Sequence, residues 1–236
     1  MALLMGFGAA GQAQASDPPV LGAYTTSVEC DAGNVTGVSA CSAVGSAASV
    51  KTTPFVLLSA TASAGEGNFA DATADYDFLV SGGTAGDVVT VGFTTLMETD
   101  LTGGGSSHAQ VVWFDSVKSS GFSICSSPLP EATACAHGGG IFSGTIDFSA
   151  VSGEVGHIHL DVDAGTGFGG SGTASLDPFM FVENDPNGIY SLQLSDGVPN
   201  AVGGVPEAST WALMLVGFGL AGASLRRRRA GLPATS

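Results

Sequence analysis

Runs rich in Val, Thr, Phe and Ile recur at residues 20–25, 55–63, 72–80, 88–97, 109–115, 141–148, 155–163, 173–182 and 189–194, while apolar residues at helical spacing are scarce. β-Branched and aromatic side chains suit a pleated, half-buried surface, so each run predicts a strand. Glycine clusters separate them: Gly82-Gly83, Gly103-Gly104-Gly105, Gly138-Gly139-Gly140 and Gly169-Gly170. Strands broken by turns this often predict an all-β fold, an antiparallel β-sandwich of jelly-roll-like character. No internal repeat of about 20 to 50 residues is evident, which argues against a solenoid or an adhesin array. The Gly-, Ser- and Ala-rich stretch 32–49 reads as a loose loop, and 201–204 as a linker.

One run alternates strictly. Within 155–163, His157, His159, Asp161 and Asp163 fall on one face of a strand, and Ile158, Leu160 and Val162 on the other. Neighbours on the polar face stand about 7 Å apart at a rise of ~3.3 Å per residue, so closing around an ion needs help from an adjacent strand. Imidazole and carboxylate together suit zinc or another transition metal. An outward polar face of a half-buried strand accounts for the same pattern with no ion. Asp71, Asp75 and Asp77 are further candidates for an irregular calcium site across strands, although no EF-hand or complete calcium-binding nonapeptide is present.

Both ends of the chain are apolar. Ala2 to Ala10, followed by Ala13-Gln14-Ala15 before Ser16, fits a signal peptide over residues 1–15. No Lys or Arg precedes the apolar stretch, so the true start lies upstream or the signal is unusual. Near the other end, Trp211 to Leu225 carries no charge and is followed by Arg226, Arg227, Arg228 and Arg229. In a bilayer such a segment must be helical to satisfy its own backbone. Fifteen residues reach only roughly 22 Å of a ~30 Å hydrocarbon core, a shortfall that Trp211 in the headgroup belt and snorkelling arginine stems offset. Four arginines fix that end in the cytoplasm and place the preceding body on the outer side. The glycine spacings Gly6-x-Gly8-x-x-Gly11 and Gly217-x-Gly219-x-x-Gly222 match a dinucleotide fingerprint, but they sit inside these membrane-directed runs rather than after a strand.

The tail, with Val205, Pro206 and Glu207, then the apolar helix, then the arginine cluster, resembles the PEP-CTERM sorting signal of exported proteins in Gram-negative bacteria. Position 208 departs from the usual pattern, being Ala where a second Pro is common. The resemblance implies processing by an exosortase-type membrane enzyme that cuts near Pro206 and Glu207. Residues 174–179, Asp185-Pro186 and 195–200 also look like the stretch that often precedes this tail, and they bring no catalytic residue with them. The expected organisation is therefore a signal peptide over 1–15, a β-sandwich ectodomain over 16–200, a linker over 201–204, a sorting signal over 205–229 and a cytoplasmic tail over 230–236.

Charge narrows the choice of partners. The ectodomain has two basic residues, Lys51 and Lys118, against twenty Asp and Glu, so it repels nucleic acid and anionic lipid and attracts cations. Calcium is the ion weighed most closely on that ground, and no cofactor is otherwise called for. Cys30, Cys41, Cys125 and Cys135 form two local pairs, in keeping with an oxidising compartment; the expected disulfides close within each pair, although three connectivities are open. No Gly-x-Ser-x-Gly, His-Glu-x-x-His or phosphate loop occurs, and His108 and His137 read as exposed loop residues. The body is expected to be non-catalytic. It would act as a structural or interaction module at the cell surface or in the extracellular polysaccharide matrix, with exosortase, the membrane and exopolysaccharide as partners. The alternatives are a carbohydrate-binding module, calcium-dependent or not, using Trp113, Phe114 or Tyr76, and a secreted hydrolase, which needs a deep cleft.

Overall fold

The structure, a computed structural model, describes residues 19–31, 35–52, 56–63, 67–114, 119–126, 137–138, 140–166 and 170–198. The signal peptide, the sorting signal with its helix and arginines, and Cys135 lie outside the described residues. Among the described residues there are fourteen strands: β1 Thr25–Cys30, β2 Val35–Gly37, β3 Ala40–Ala43, β4 Ser46–Lys51, β5 Leu57–Ala62, β6 Phe69–Gly82, β7 Val88–Thr102, β8 Ser106–Phe114, β9 Ser119–Ser126, β10 His137–Gly138, β11 Gly140–Val151, β12 Val155–Gly165, β13 Ser171–Val182 and β14 Tyr190–Leu194. No helix among them is long and apolar enough to cross a membrane.

Two sheets form the body. One runs β10-β9-β8-β12-β6-β1-β2, with β14 pairing β6 beyond the end of β1, and the other runs β11-β7-β13-β5-β4-β3. All pairings are antiparallel except that of β9 with β10. The long strand β6 organises the first sheet: its residues 69–79 pair β12 along one edge, while 70–75 pair β1 and 78–82 pair β14 along the other.

The alternation that makes these strands also makes the core. Inward positions of β6 are Ala70, Ala72, Ala74, Tyr76 and Phe78, and those of β12 are Ile158, Leu160, Val162 and Ala164, all buried. At the alanine-rich end of β6, the facing strands β4 and β5 also bury small residues, Ala48, Ala60 and Ala62, which lets the sheets approach closely. At the other end the gap is filled by rings. Phe78 of β6 meets Phe148 of β11 edge-on at 5.5 Å, and Phe148 stacks on Trp113 of β8 at 5.1 Å, so one aromatic chain ties the two sheets.

Two expectations fail. Residues 20–24 are not strand; the first strand begins at Thr25, and Gly22 instead donates its N–H to Asp77 Oδ2 at 2.6 Å. The stretch 32–49 is not a loose loop, since it holds β2, β3 and most of β4. Its small residues hid a real alternation: Ser46, Ala48 and Val50 point inward in β4 while Ala47 and Ser49 point outward. Strand β9 was likewise not anticipated, because Ser119 to Ser126 is poor in β-branched residues. Cys30 and Cys41 are bonded as expected, with a Cα–Cα separation of 6.0 Å, which ties β1 to β3 across the sandwich edge. Cys125 is disulfide-bonded as well.

Candidate functional site

The outer face of the first sheet carries most of the ionisable groups that the sequence singles out. Alternation in β12 leaves His157, His159, Asp161 and Asp163 outward and half-buried, as predicted, while the intervening residues are core. Register then decides their neighbours. On the β6 side, His157 lies opposite Asp77, His159 opposite Asp75, Asp161 opposite Thr73 and Asp163 opposite Asp71. On the β8 side the partners are Phe114, Val112, Gln110 and His108, and one strand beyond β6, Glu29 of β1 lies opposite Asp71. A row of imidazoles and carboxylates therefore runs along β12, flanked by three aspartates on the β6 side and by one imidazole, His108, on the β8 side.

The row divides into two clusters. In the first, His157 Nδ1 lies 2.9 Å from Asp77 Oδ1, and its Nε2 lies 3.3 Å from Asp75 Oδ1. The same Asp75 oxygen is 2.8 Å from His159 Nδ1. Asp77 is held further by Gly22, so each member of this cluster already has partners. These contacts make it a ladder of imidazoles and carboxylates bonded to one another.

The second cluster is different. His108 Nδ1 lies 3.1 Å from Asp163 Oδ2 and 3.7 Å from Asp161 Oδ2, so one ring nitrogen serves two carboxylates. Asp161 Oδ1 is buried and has no hydrogen-bond donor among the partners above. Asp71 completes the group. Its carboxyl is pushed up to about 8, first by burial, then by the charge of Asp161, a shared hydrogen bond with it, and the charges of Asp163 and Glu29. His108 is pushed up to about 9 because its hydrogen bonds to Asp161 and Asp163 outweigh the effect of burial, which lowers it.

These two shifts have one sign for stability. Asp71 favours its protonated form on folding, a contribution fully present below its ordinary 3.8 and lost as pH rises through about 8. His108 favours its charged form, a contribution present below 6.5 and lost as pH rises through about 9. With chelator present, the melting temperature should therefore fall between pH 6 and pH 9. Solvent screening of these partly exposed groups holds the loss to on the order of 1–2 kcal/mol, or about 2–8 °C for a domain of this size. Asp71→Asn keeps an N–H to donate to Asp161 and carries no charge, so it should remove the Asp71 share of the slope and leave that of His108. A wild-type melting temperature that rises over the same interval contradicts this electrostatic reading.

Sequence reasoning found β12 and the β6 aspartates but misplaced His108. It is not an exposed loop residue: it sits within β8 with only a quarter of its side chain exposed. The available signal was the alternation of Ser106, His108 and Gln110 against Ser107, Ala109 and Val111. Residues 161–165 continue β12 as regular strand. Of the three aromatics named for a sugar-binding groove, only Phe114 is exposed. Trp113 and Tyr76 belong to the core, and the Tyr76 hydroxyl donates to Met180 Sδ at 3.8 Å. A separate open groove of about 740 Å³ lies along residues 19–24, Gln193, Leu194 and Asp196.

Comparison with known proteins identifies a PEP-CTERM protein-sorting motif at residues 204–229. No curated protein sequence matches the chain. Among solved structures, the chain is similar to TmCBM61 in complex with β-1,4-galactotriose at 16% identity, over 53% of this chain and 71% of that one, with a TM-score of 0.27. The motif marks an exported protein processed at the membrane by an exosortase-type enzyme.

Proposed function

We propose that this protein is a non-catalytic module delivered to the cell surface or the extracellular matrix, where its acidic sandwich serves a structural or interaction role. The observation that supports this most strongly is the sorting motif at residues 204–229, behind a body that forms its own two-sheet core. The disposition of the ionisable groups supports binding over turnover. Hydrolysis requires a nucleophile or water held between convergent groups in a cleft from which bulk water is excluded. Here the imidazoles and carboxylates lie in file along a half-exposed sheet face; His157 and His159 are 41% and 35% exposed in their side chains.

The sandwich is expected outside the cell in an exporting host. Protease shaving of intact cells, with an antibody to the body, checks this: degradation of the body alongside an intact cytosolic control supports the reading. A body that is protected in intact cells and recovered with soluble cytosol overturns it.

A further inference from the structure

We infer that His108, Asp161 and Asp163, with Asp71 as a fourth donor, form a binding site for one divalent transition ion, of the class of Zn2+ or Mn2+. The proposal goes beyond the functional reading above and does not depend on where the protein is delivered. Its basis is geometric. One ligand atom from each of His108, Asp161 and Asp163 lies within 4.8 Å of the others. The separations of 3.1 and 3.7 Å from His108 Nδ1 to the two carboxylates bracket the roughly 3.4 Å edge of a tetrahedron with ~2.1 Å metal–ligand bonds.

Three strands contribute, which is why the site is invisible in any one of them. Asp161 and Asp163 are two apart on β12, His108 faces Asp163 from β8, and Asp71 faces it from β6. The neighbouring outward positions of these strands and of β1 include no Lys or Arg. His108 Nδ1 bonds Asp163 and lies near Asp161, and the Asp71 carboxyl hydrogen-bonds Asp161, yet Asp161 Oδ1 is left buried without a donor. A buried acceptor without a donor is costly, and a cation satisfies it. The choice of ion follows from the donors: imidazole nitrogen favours zinc, the carboxylate majority also suits manganese, and carboxylates alone would favour calcium or magnesium. The ladder of His157, His159, Asp75 and Asp77 serves as the internal control, because three of its four imidazole nitrogens already face a carboxylate oxygen.

Calorimetric titration of the purified, chelator-stripped protein with ZnCl2 and with MnCl2 tests this. The expected result is one saturable site that weakens at least about tenfold in Asp163→Asn and in His108→Gln, as for loss of one ligand of a four-donor set, and stays within twofold in His159→Gln. Should His108→Gln not fold, the near-isosteric Asp163→Asn, checked by its melting curve, carries the comparison. Absence of binding at millimolar metal overturns the site. So does binding that survives Asp163→Asn, or that falls equally in His159→Gln. Calcium binding that is indifferent to His108→Gln, with no zinc or manganese response, overturns the assignment to a transition ion.

Discussion

Replacing Pro206 and Glu207 together by alanine leaves the chain as an uncut precursor that retains Arg226 to Arg229 and fractionates with the membrane. This is the largest effect expected of any substitution, because without the cut the whole body stays joined to the apolar segment. Residues 211–225 carry no charge, and in lipid they can be accommodated only as a helix that satisfies its own backbone. The arginine cluster cannot follow them across, since each charge at mid-membrane costs about 2.5–3.5 kcal/mol or more. An exported body is therefore tethered until a bond on its own side of the helix is cut. On this account the bond lies within the motif at 204–229, and Pro206 and Glu207 are the residues expected to mark it. Membrane and medium fractions probed with an antibody to the body should show the wild type mainly processed and the double variant mainly as the slower-migrating, membrane-bound form. Equal processing of both would show that the cut does not read these residues.

The second large effect is on folding. Phe78→Ala should destabilise the sandwich by about 3–5 kcal/mol, a large share of the ~5–15 kcal/mol typical of a domain. Phe78 is 1% exposed and is the first ring in the chain that continues through Phe148 to Trp113, so its removal opens a cavity and uncouples the sheets. The ring fits because residue 156, beside it on β12, is glycine: a Cβ there would overlap the Phe78 ring. Gly156→Ala should accordingly destabilise the wild type by about 1–3 kcal/mol through overpacking, yet cost little in the Phe78→Ala background, where the space is vacant. Urea unfolding of the four chains of this cycle measures the coupling. Additive losses would mean that the two positions do not share that space.

How much of this was legible in the sequence depended on which side chains carried the alternation. Where the inward residues are large, as in β12 with Ile158, Leu160 and Val162, period two is plain and both faces follow from it. In β6 the inward residues are partly small, Ala70, Ala72 and Ala74, but the outward Asp71, Thr73, Asp75 and Asp77 and the inward Tyr76 and Phe78 still mark the period. Where the inward residues are Ser and Ala, as in β4, the same period is present but composition disguises it as a loop. The candidate metal site was only half legible for a different reason. Its two aspartates were visible on β12, but what brings His108 and Asp71 to them is register across three strands, and no single segment encodes that pairing. The aromatic groove failed because Trp113 and Tyr76 sit at inward positions of β8 and β6, where alternation sends them to the core whatever their affinity for sugar rings. The sorting motif, being local and linear, was legible directly, and the motif found at 204–229 agrees with it to within one residue.

The central claim is that an acidic, disulfide-bonded β body is severed from a membrane handle after export. Mass spectrometry of the carboxyl terminus of the protein, recovered separately from cells and from medium, tests it most directly. Mature protein should end near Glu207, with the arginines confined to the membrane-bound precursor. An intact terminus through Ser236 in both fractions would contradict the account.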